Sequence, residues 1–411
     1  MADLLELEHA RRLVLERSWR CPDQRDVPLA QSLGHALAQD LRCAEPWPTA
    51  DRSAMDGFAL CAGDGVAVAG TRFRLRGAAL AGHPFGGALT RGEAVRIMTG
   101  GVVPEGADRV VMVEETDGFV DGAVEVALTA NVPPLANIRP EGSEVAAGSV
   151  VLRAGTWIGP AEVGALAVLG QTAVPVVRRP RVVILSTGDE VVDVAEKPAL
   201  HQVRDSNSWA LAAKVQALGG EAIRAGIVGD DRAALRAALE QGLEADVLVT
   251  VGGVSKGTHD LVHGQLRELG VEPVFHGVAL KPGKPTFFGL REKRRAAVFG
   301  LPGNPASSFT TFDLFVAPFL VRFGGGDVAP AQSVRLGGVL PRRNRRAQAV
   351  PARLATSPGG GAEAVLAPVR PSGDPFGLLD ADGYAVLPAG VEPAELGAVP
   401  FLPCAGRIVR A

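Results

Sequence analysis

The 411-residue sequence predicts a multidomain protein of mixed α+β and α/β class, organised around a mostly parallel α/β domain. Past residue 178, β-branched runs alternate with helical segments of about 12 residues, the pattern of strands joined by right-handed crossovers. On both sides of that region, short apolar runs broken by Gly and Pro turns read as β structure without helical periodicity. Hydrophobic residues make up 47% and charged residues 21% of the chain, enough for several cores.

The elements follow in chain order. Residues 3–20 have the spacing of a helix, and Leu29–Asp40 reads as a second short helical segment before Pro46-Trp47-Pro48 breaks the pattern. Residues 60–150 are rich in Gly, Val and turn dipeptides and suggest a β domain. Gly159–Leu169 is again helical, with Pro160 near its first turn. That return makes the β region an insertion, giving an N-terminal helical domain of 1–48 plus 145–177 and an inserted β-rich domain of 49–144. The α/β domain covers 178–326. Its strands are expected at 181–186, 221–228, 245–251, 286–289 and 296–299, and its helices at 206–218, 232–243, 261–269 and 305–323. Beyond Gly324-Gly325-Gly326, runs at 334–336, 349–354, 363–366, 384–387 and 407–409 predict a small antiparallel β-barrel over 327–411.

Thr250-Val-Gly-Gly-Val-Ser-Lys-Gly-Thr-His-Asp260 joins a buried strand to a helix. Its glycines (Gly252, Gly253, Gly257) let backbone N–H groups approach a ligand, and Ser255 and Lys256 add donors. Asp260 in the same loop suits an anion accompanied by a metal ion better than an anion alone. Only six lysines occur against 36 arginines, yet Lys256, Lys281 and Lys284 fall close together beside glycine loops. An ammonium is a compact point charge where guanidinium is a flat fork, so the clustering points to a site. In open α/β sheets ligands gather at the carboxyl ends of strands. The loops Thr187-Gly-Asp-Glu190, Asp230-Asp231, 250–260, Lys281-Pro-Gly-Lys-Pro285 and Leu301-Pro-Gly-Asn-Pro305 should therefore share one edge. The bland alternatives are tight turns at the glycines, helix caps at Glu190, Asp231 and Asn304, and a simple turn at Asp56-Gly57.

Several classes are disfavoured. Net charge is −3, and the patch Arg342-Arg-Asn-Arg-Arg346 lacks interleaved aromatics, so it reads as a solvated loop rather than a nucleic-acid contact. No apolar run approaches membrane-spanning length. The four cysteines show no metal spacing, and the opening residues lack the order of a signal peptide, so a cytoplasmic protein with reduced thiols is expected. His259-Asp-Leu-Val-His263 mimics the HExxH zinc pattern, but Asp260 stands where Glu is required and no third ligand is evident.

Taken together, Ser53-Ala-Met-Asp-Gly-Phe-Ala59, Thr99-Gly with Val103-Pro-Glu-Gly-Ala-Asp108, Ser186-Thr-Gly-Asp-Glu190, Asp205-Ser-Asn207, Gly252-Gly-Val-Ser with Gly257 and Asp260, Lys281–Pro285 and Leu301–Pro305 resemble the MoeA family of molybdopterin molybdenumtransferases. The family is homologous to the C-terminal part of gephyrin. The resemblance implies a four-domain homodimer whose α/β domain is similar to the MogA adenylyltransferase fold. It implies insertion of molybdate into the dithiolene of adenylyl-molybdopterin, with Mg²⁺-dependent hydrolysis releasing AMP. Implied partners are a MogA-like adenylyltransferase and molybdoenzyme maturation proteins.

By the same resemblance, Asp260, Glu190 and Asp231 are the acidic residues of the active site, with Asp260 and Glu190 toward the metal. Lys281 and Lys284 face the oxyanion, and Asp56 and Thr99 act across the dimer. Thr187, Gly188, Asp205, Asn207, Gly252, Gly253, Ser255, Gly257, Pro302, Gly303, Asn304, Pro305 and Ser307 form the molybdopterin-binding set. Three positions depart from the family pattern: Phe58 for Tyr, Glu144 for Asp and Ala306 for Val. A non-catalytic scaffold is the rival reading, and retention of the acidic and lysine positions disfavours it. Nothing in the residues separates molybdate from tungstate.

Overall fold

The computed structural model describes residues 4–80, 82–253, 261–357, 360–368 and 370–405. The chain forms two compact units, one of Met1–Gln39, Ala154–Gly164 and Thr172–Ala411, the other of Asp40–Arg153 and Ala165–Gln171.

In the first unit, a six-stranded sheet runs in the order 221–228, 181–187, 247–251, 296–301, 287–291, 272–276. The first four strands are parallel; 287–291 runs against them, and 272–276, antiparallel to 287–291, again runs with the four. The central strand Val247–Val251 is buried along its whole length, and a strand covered on both faces needs this unbroken Val/Leu/Thr run. Its helices lie at Asn207–Ala217, Arg232–Gly242 and Leu261–Glu268. The opening helix spans Leu7–Arg17 and buries Leu7, Ala10 and Val14, the one-sided spacing of 3.6 residues per turn.

Three expectations need correction. Leu29–Asp40 is not helical beyond a short turn at Leu29–Gln31. Gly34 takes φ +71°, and Ala36 and Leu37 pair with Trp157 and Val176, so contacts distant in sequence override the local pattern. The expected 305–323 helix is interrupted by a π-helical turn at Phe312–Val316 between Pro305–Thr311 and Ala317–Phe323. The barrel is not wholly antiparallel, because Gln332–Gly338 and Ala362–Leu366 pair in parallel. The ring closes through 347–356, 362–366, 332–338, 399–403 and 383–387. Its fifth strand is Val399–Pro403, and the expected 407–409 run lies outside the described residues.

A buried ion pair pins the helices of this unit. Lys214 Nζ donates to both carboxylate oxygens of Asp313 at 2.6 Å, and the ammonium sits 3.4 Å from the Phe309 ring centroid. Ala405 N also donates to Asp313, fastening the end of the barrel to the π-helical turn. Burial pushes the Asp313 carboxyl upward and the Lys214 charge opposes it.

The second unit holds a five-stranded sheet in the order 109–112, 57–60, 93–97, 72–79, 125–127. Gly57 is obligatory there, since a Cβ would collide with the Val111 carbonyl. Arg109 is fully buried, its guanidinium donating to Asp108 and to the carbonyls of Gly63, Gly65 and Val132. Asp108 in turn accepts from Ala62 N and Gly63 N, so the Val103–Asp108 motif is fixed by a structural anchor.

Candidate functional site

Three parallel strands, Arg181–Thr187, Val247–Val251 and Ala296–Leu301, end side by side, and their following loops meet. Thr187 Oγ1 donates to the Val251 carbonyl, and Gly252 N donates to the Leu301 carbonyl. Gly252 and Gly253 hold φ of +90° and +62°, and a Cβ on Gly252 would lie 2.5 Å from the Thr187 carbonyl oxygen. A Cβ on Gly303 would lie 3.6 Å from the Gly252 Cα. Gly252 and Gly253 are therefore required by backbone packing, whereas a Cβ on Gly303 would make only an ordinary contact.

Asp205 and Asn207 lock these loops together. Asp205 is buried; it accepts from Ser186 Oγ at 3.0 Å, Ser208 N at 3.0 Å and Ser208 Oγ at 2.6 Å. Asn207 donates through Nδ2 to the Gly303 carbonyl at 2.7 Å and accepts from Ser308 Oγ at 2.9 Å. The Leu301–Pro305 loop is thus clamped against the start of the Asn207–Ala217 helix. Glu190 is exposed, with its carboxylate folded over Gly188: a Cβ there would lie 2.5 Å from Oε2. Asp231 Oδ1 accepts from Ala234 N at 2.7 Å and caps the Arg232–Gly242 helix. Neighbouring Asp189 accepts from Asp230 N and joins this loop to Gly188.

Across the Leu301–Pro305 loop lies a cavity of about 1070 Å³. Lys281, Lys284 and Ser307 line it, joined by Arg342, Arg343 and Arg346. Neither lysine pairs with a carboxylate among the described residues. Gly283 turns between them at φ +115°, where a Cβ would strike Thr311 Cγ2. Arg346 donates to the Leu280 carbonyl at 2.9 Å, and Asn304 Nδ2 donates to Ser372 Oγ at 2.9 Å on the cavity wall. Asp374 also lines it, paired with Arg370 at 3.0 Å; that guanidinium, then Phe376 N, holds its carboxyl below the usual range. The Arg342–Arg346 patch is an exposed loop, as read from the sequence, and Arg342, Arg343 and Arg346 also line this cavity. The pairing of Leu280–Lys281 with Ala347–Gln348 helps bring it there, a register no local pattern announces.

In the second unit, Asp56 and Thr99 meet although 43 residues apart. Asp56 Oδ1 accepts from Thr99 N at 2.7 Å and from Thr99 Oγ1 at 2.8 Å. These two bonds, the backbone one first, hold the Asp56 carboxyl below its ordinary range. Ser255, Gly257 and Asp260 lie outside the described residues, as does His259. His263, the other half of the zinc-like pattern, stacks on His276 at 4.0 Å between centroids and meets Phe287 edge-on. Among the described residues no cluster of three His, Cys, Asp or Glu suits a metal.

The chain matches two family models. One is the MoeA N-terminal region (domains I and II) at residues 5–170, the other a probable molybdopterin-binding domain at residues 183–322. A molybdopterin molybdenumtransferase of Synechocystis sp. is 30% identical over 376 residues, covering 91% of this chain and 93% of that protein. One of Bacillus subtilis is 35% identical over 301 residues, covering 72% and 69%. Gephyrin of Dictyostelium discoideum is 33% identical across 79% of this chain and 50% of its own length. A molybdopterin biosynthesis MoeA protein of Pyrococcus horikoshii superposes with a TM-score of 0.82 at 28% identity, covering 98% of this chain and all of that one. No helix among the described residues is long and apolar enough to cross a membrane. The loops clamped at the strand ends and the cationic cavity beside them lie within a chain that belongs to the MoeA family of molybdopterin molybdenumtransferases.

Proposed function

We propose that the chain inserts molybdate into the dithiolene of adenylyl-molybdopterin, coupled to hydrolysis that releases AMP. One observation carries this reading. A cavity lined by Lys281, Lys284 and four arginines adjoins the Leu301–Pro305 loop, whose Asn304 bonds Ser372 on the cavity wall and whose Gly303 carbonyl is held by Asn207 beside the glycine-lined strand end. A tetrahedral dianion needs a cationic, hydrogen-bonding chamber, and a pterin with a pyrophosphate needs backbone donors at close approach. Placing both on one loop brings the oxyanion to the dithiolene. The metal-binding sulfurs belong to the substrate, so no cysteine cluster is required.

In this reading Gly252, Gly253, Pro302 and Gly303 admit the substrate backbone-first, while Asn207 and Asp205 keep those loops in register. Ser307, at the foot of the Pro305–Thr311 helix, faces the oxyanion with Lys281 and Lys284. Thr187, Gly188, Ser255, Gly257, Asn304 and Pro305 complete the pterin side. Glu190 is exposed, and with Asp260 it supplies the hard oxygen ligands that suit Mg²⁺ held largely by water and phosphate. When bound, Mg²⁺ would neutralise charge on the pyrophosphate. Asp260 orients the hydrolytic water, and Asp231 orders the loop beside Gly188. Asp56 and Thr99 act in the homodimer, and four domains bounded near 48, 144, 177 and 326 fit this division of labour. The proposed setting is the cytoplasm, with a MogA-like adenylyltransferase upstream and molybdoenzyme maturation downstream.

The test is AMP release from adenylyl-molybdopterin and Mg²⁺, with and without molybdate. Molybdate-dependent release, reduced about 10²-fold or more in Asp260→Ala, is expected. Tight substrate binding with no AMP formed would favour a carrier or scaffold.

A further inference from the structure

At the opposite, amino-terminal end of the α/β strands lies a pair of joined cavities that the proposed reaction does not use. The inner chamber, about 440 Å³, is walled by Ala36, Trp157, Val177, Leu218 and Leu320. Trp157 remains 48% exposed although its ring edge is seated on glycine. A Cβ on Gly219 would lie 2.5 Å from Cη2, and one on Gly34 would lie 4.0 Å from Cζ2. Both glycines hold positive φ, +75° and +71°, so the backbone itself makes room for the indole. Trp157 is also held by a β-bridge to Ala36. An exposed indole fixed in this way is a stacking surface.

Arg178 and Arg179 are shared with the wall of an adjoining cleft of about 540 Å³ that adds Arg25, Arg181 and Glu221. The two adjacent arginines are treated differently. Arg178 is neutralised, donating to both oxygens of Asp246 at 2.8 and 2.9 Å and to Asp23 at 3.1 Å. Arg179 donates through Nε to His35 Nε2 at 3.1 Å. His35 is buried, and burial first, then the Arg179 charge, lowers its pKa, so it serves as a neutral acceptor. That contact orients the Arg179 fork without cancelling its charge. Arg25 and Arg181 have no carboxylate partner among the described residues. Three guanidiniums therefore converge against one lining carboxylate, Glu221, an arrangement that favours a bound anion. Asp327, at the rim of the inner chamber, is already paired with Arg322 at 2.7 Å.

We infer that the joined cavities bind a nucleoside phosphate, its heterocycle beside Trp157 and its phosphate on Arg25, Arg179 and Arg181. The inner chamber has the size of a small-ligand pocket with an apolar wall and few polar groups, and the fork geometry of arginine matches phosphate oxygens. This assignment does not rest on the proposed reaction.

Calorimetric titration of the full-length protein with ADP tests it. The Arg179→Gln/Arg181→Gln variant should weaken one binding event by about tenfold or more, the loss expected for a charge-assisted contact. Trp157→Ala should weaken the same event and Trp157→Phe, which keeps an aromatic face, should retain it. Arg181→Gln alone, altering only an exposed side chain, guards against misfolding of the double variant. Molybdate-dependent AMP release should be unchanged in all four, which separates this site from nucleotide bound at the opposite strand ends. Pyrophosphate should bind at least tenfold more weakly than ADP; equal affinity would overturn the nucleoside half of the assignment. No ADP binding, or an affinity unchanged by both the arginine and the Trp157→Ala variants, would overturn the whole.

Discussion

Replacing Asp205 by Ala removes the acceptor for three hydrogen bonds, two from Ser208 and one from Ser186. All three residues are buried, so water cannot easily substitute. An orphaned buried donor costs about 1–3 kcal/mol. The two hydroxyls can turn toward other acceptors, whereas the Ser208 N–H is fixed at the helix start. A total near 3 kcal/mol follows. With a urea slope of about 3 kcal/mol/M, the unfolding midpoint should fall by about 1 M. Asp205→Asn keeps an oxygen for the Ser208 N–H while its amide faces hydroxyls able to accept, so its cost should stay near 1 kcal/mol. Tryptophan fluorescence would follow unfolding, since Trp209 sits in the same helix. An Ala variant with an unshifted midpoint would refute the view that Asp205 braces the turn presenting Asn207.

Breaking the buried pair with Lys214→Met should cost about 3–5 kcal/mol, and adding Asp313→Leu should recover most of it; equal losses in the single and double variants would count against the pairing. Gly252→Ala should cost about 2 kcal/mol or more, because φ is +90° and the Thr187 carbonyl blocks the new methyl; a wild-type melting curve would contradict that packing. The Asp56 carboxyl is held low in the folded chain, so it stays ionised as pH falls through the ordinary carboxylate range. Whatever it contributes to stability is present above the unfolded pKa and lost as pH drops through the folded one. Thr99→Val removes the hydroxyl bond while leaving the backbone one, and should move the Asp56 pKa upward in a carbon-detected NMR titration; no movement would remove Thr99 Oγ1 as a cause.

The α/β domain was legible because its period changes audibly between strand and helix. Val247–Val251 and Arg232–Gly242 fall where β-branched runs and one-sided apolar spacing place them. The meeting of Asp56 with Thr99 was legible only through motif order, since nothing local in either turn demands the other. Leu29–Asp40 misled because its apolar spacing suits a helix, while pairing of Ala36 and Leu37 with distant segments decides the backbone. The Arg342–Arg346 patch carried no local sign of a cavity, because closure of the barrel against Leu280–Lys281 creates it. Lys214 and Asp313 were invisible for a related reason: 99 residues separate them, and only packing of two helices makes them partners. Asp108 and Arg109 stood inside a motif, yet their hydrogen bonds serve the fold of their own unit.

The role of the lysine- and arginine-lined cavity is tested by the molybdate dependence of AMP release in Lys284→Ala, with adenylyl-molybdopterin affinity measured on the same preparation. Half-maximal molybdate should rise about tenfold or more, the loss of a charge-assisted contact, while adenylyl-molybdopterin binds as in the parent chain. Unchanged molybdate dependence, or an equal loss of both affinities, would contradict the assignment of the lysine- and arginine-lined cavity to the oxyanion.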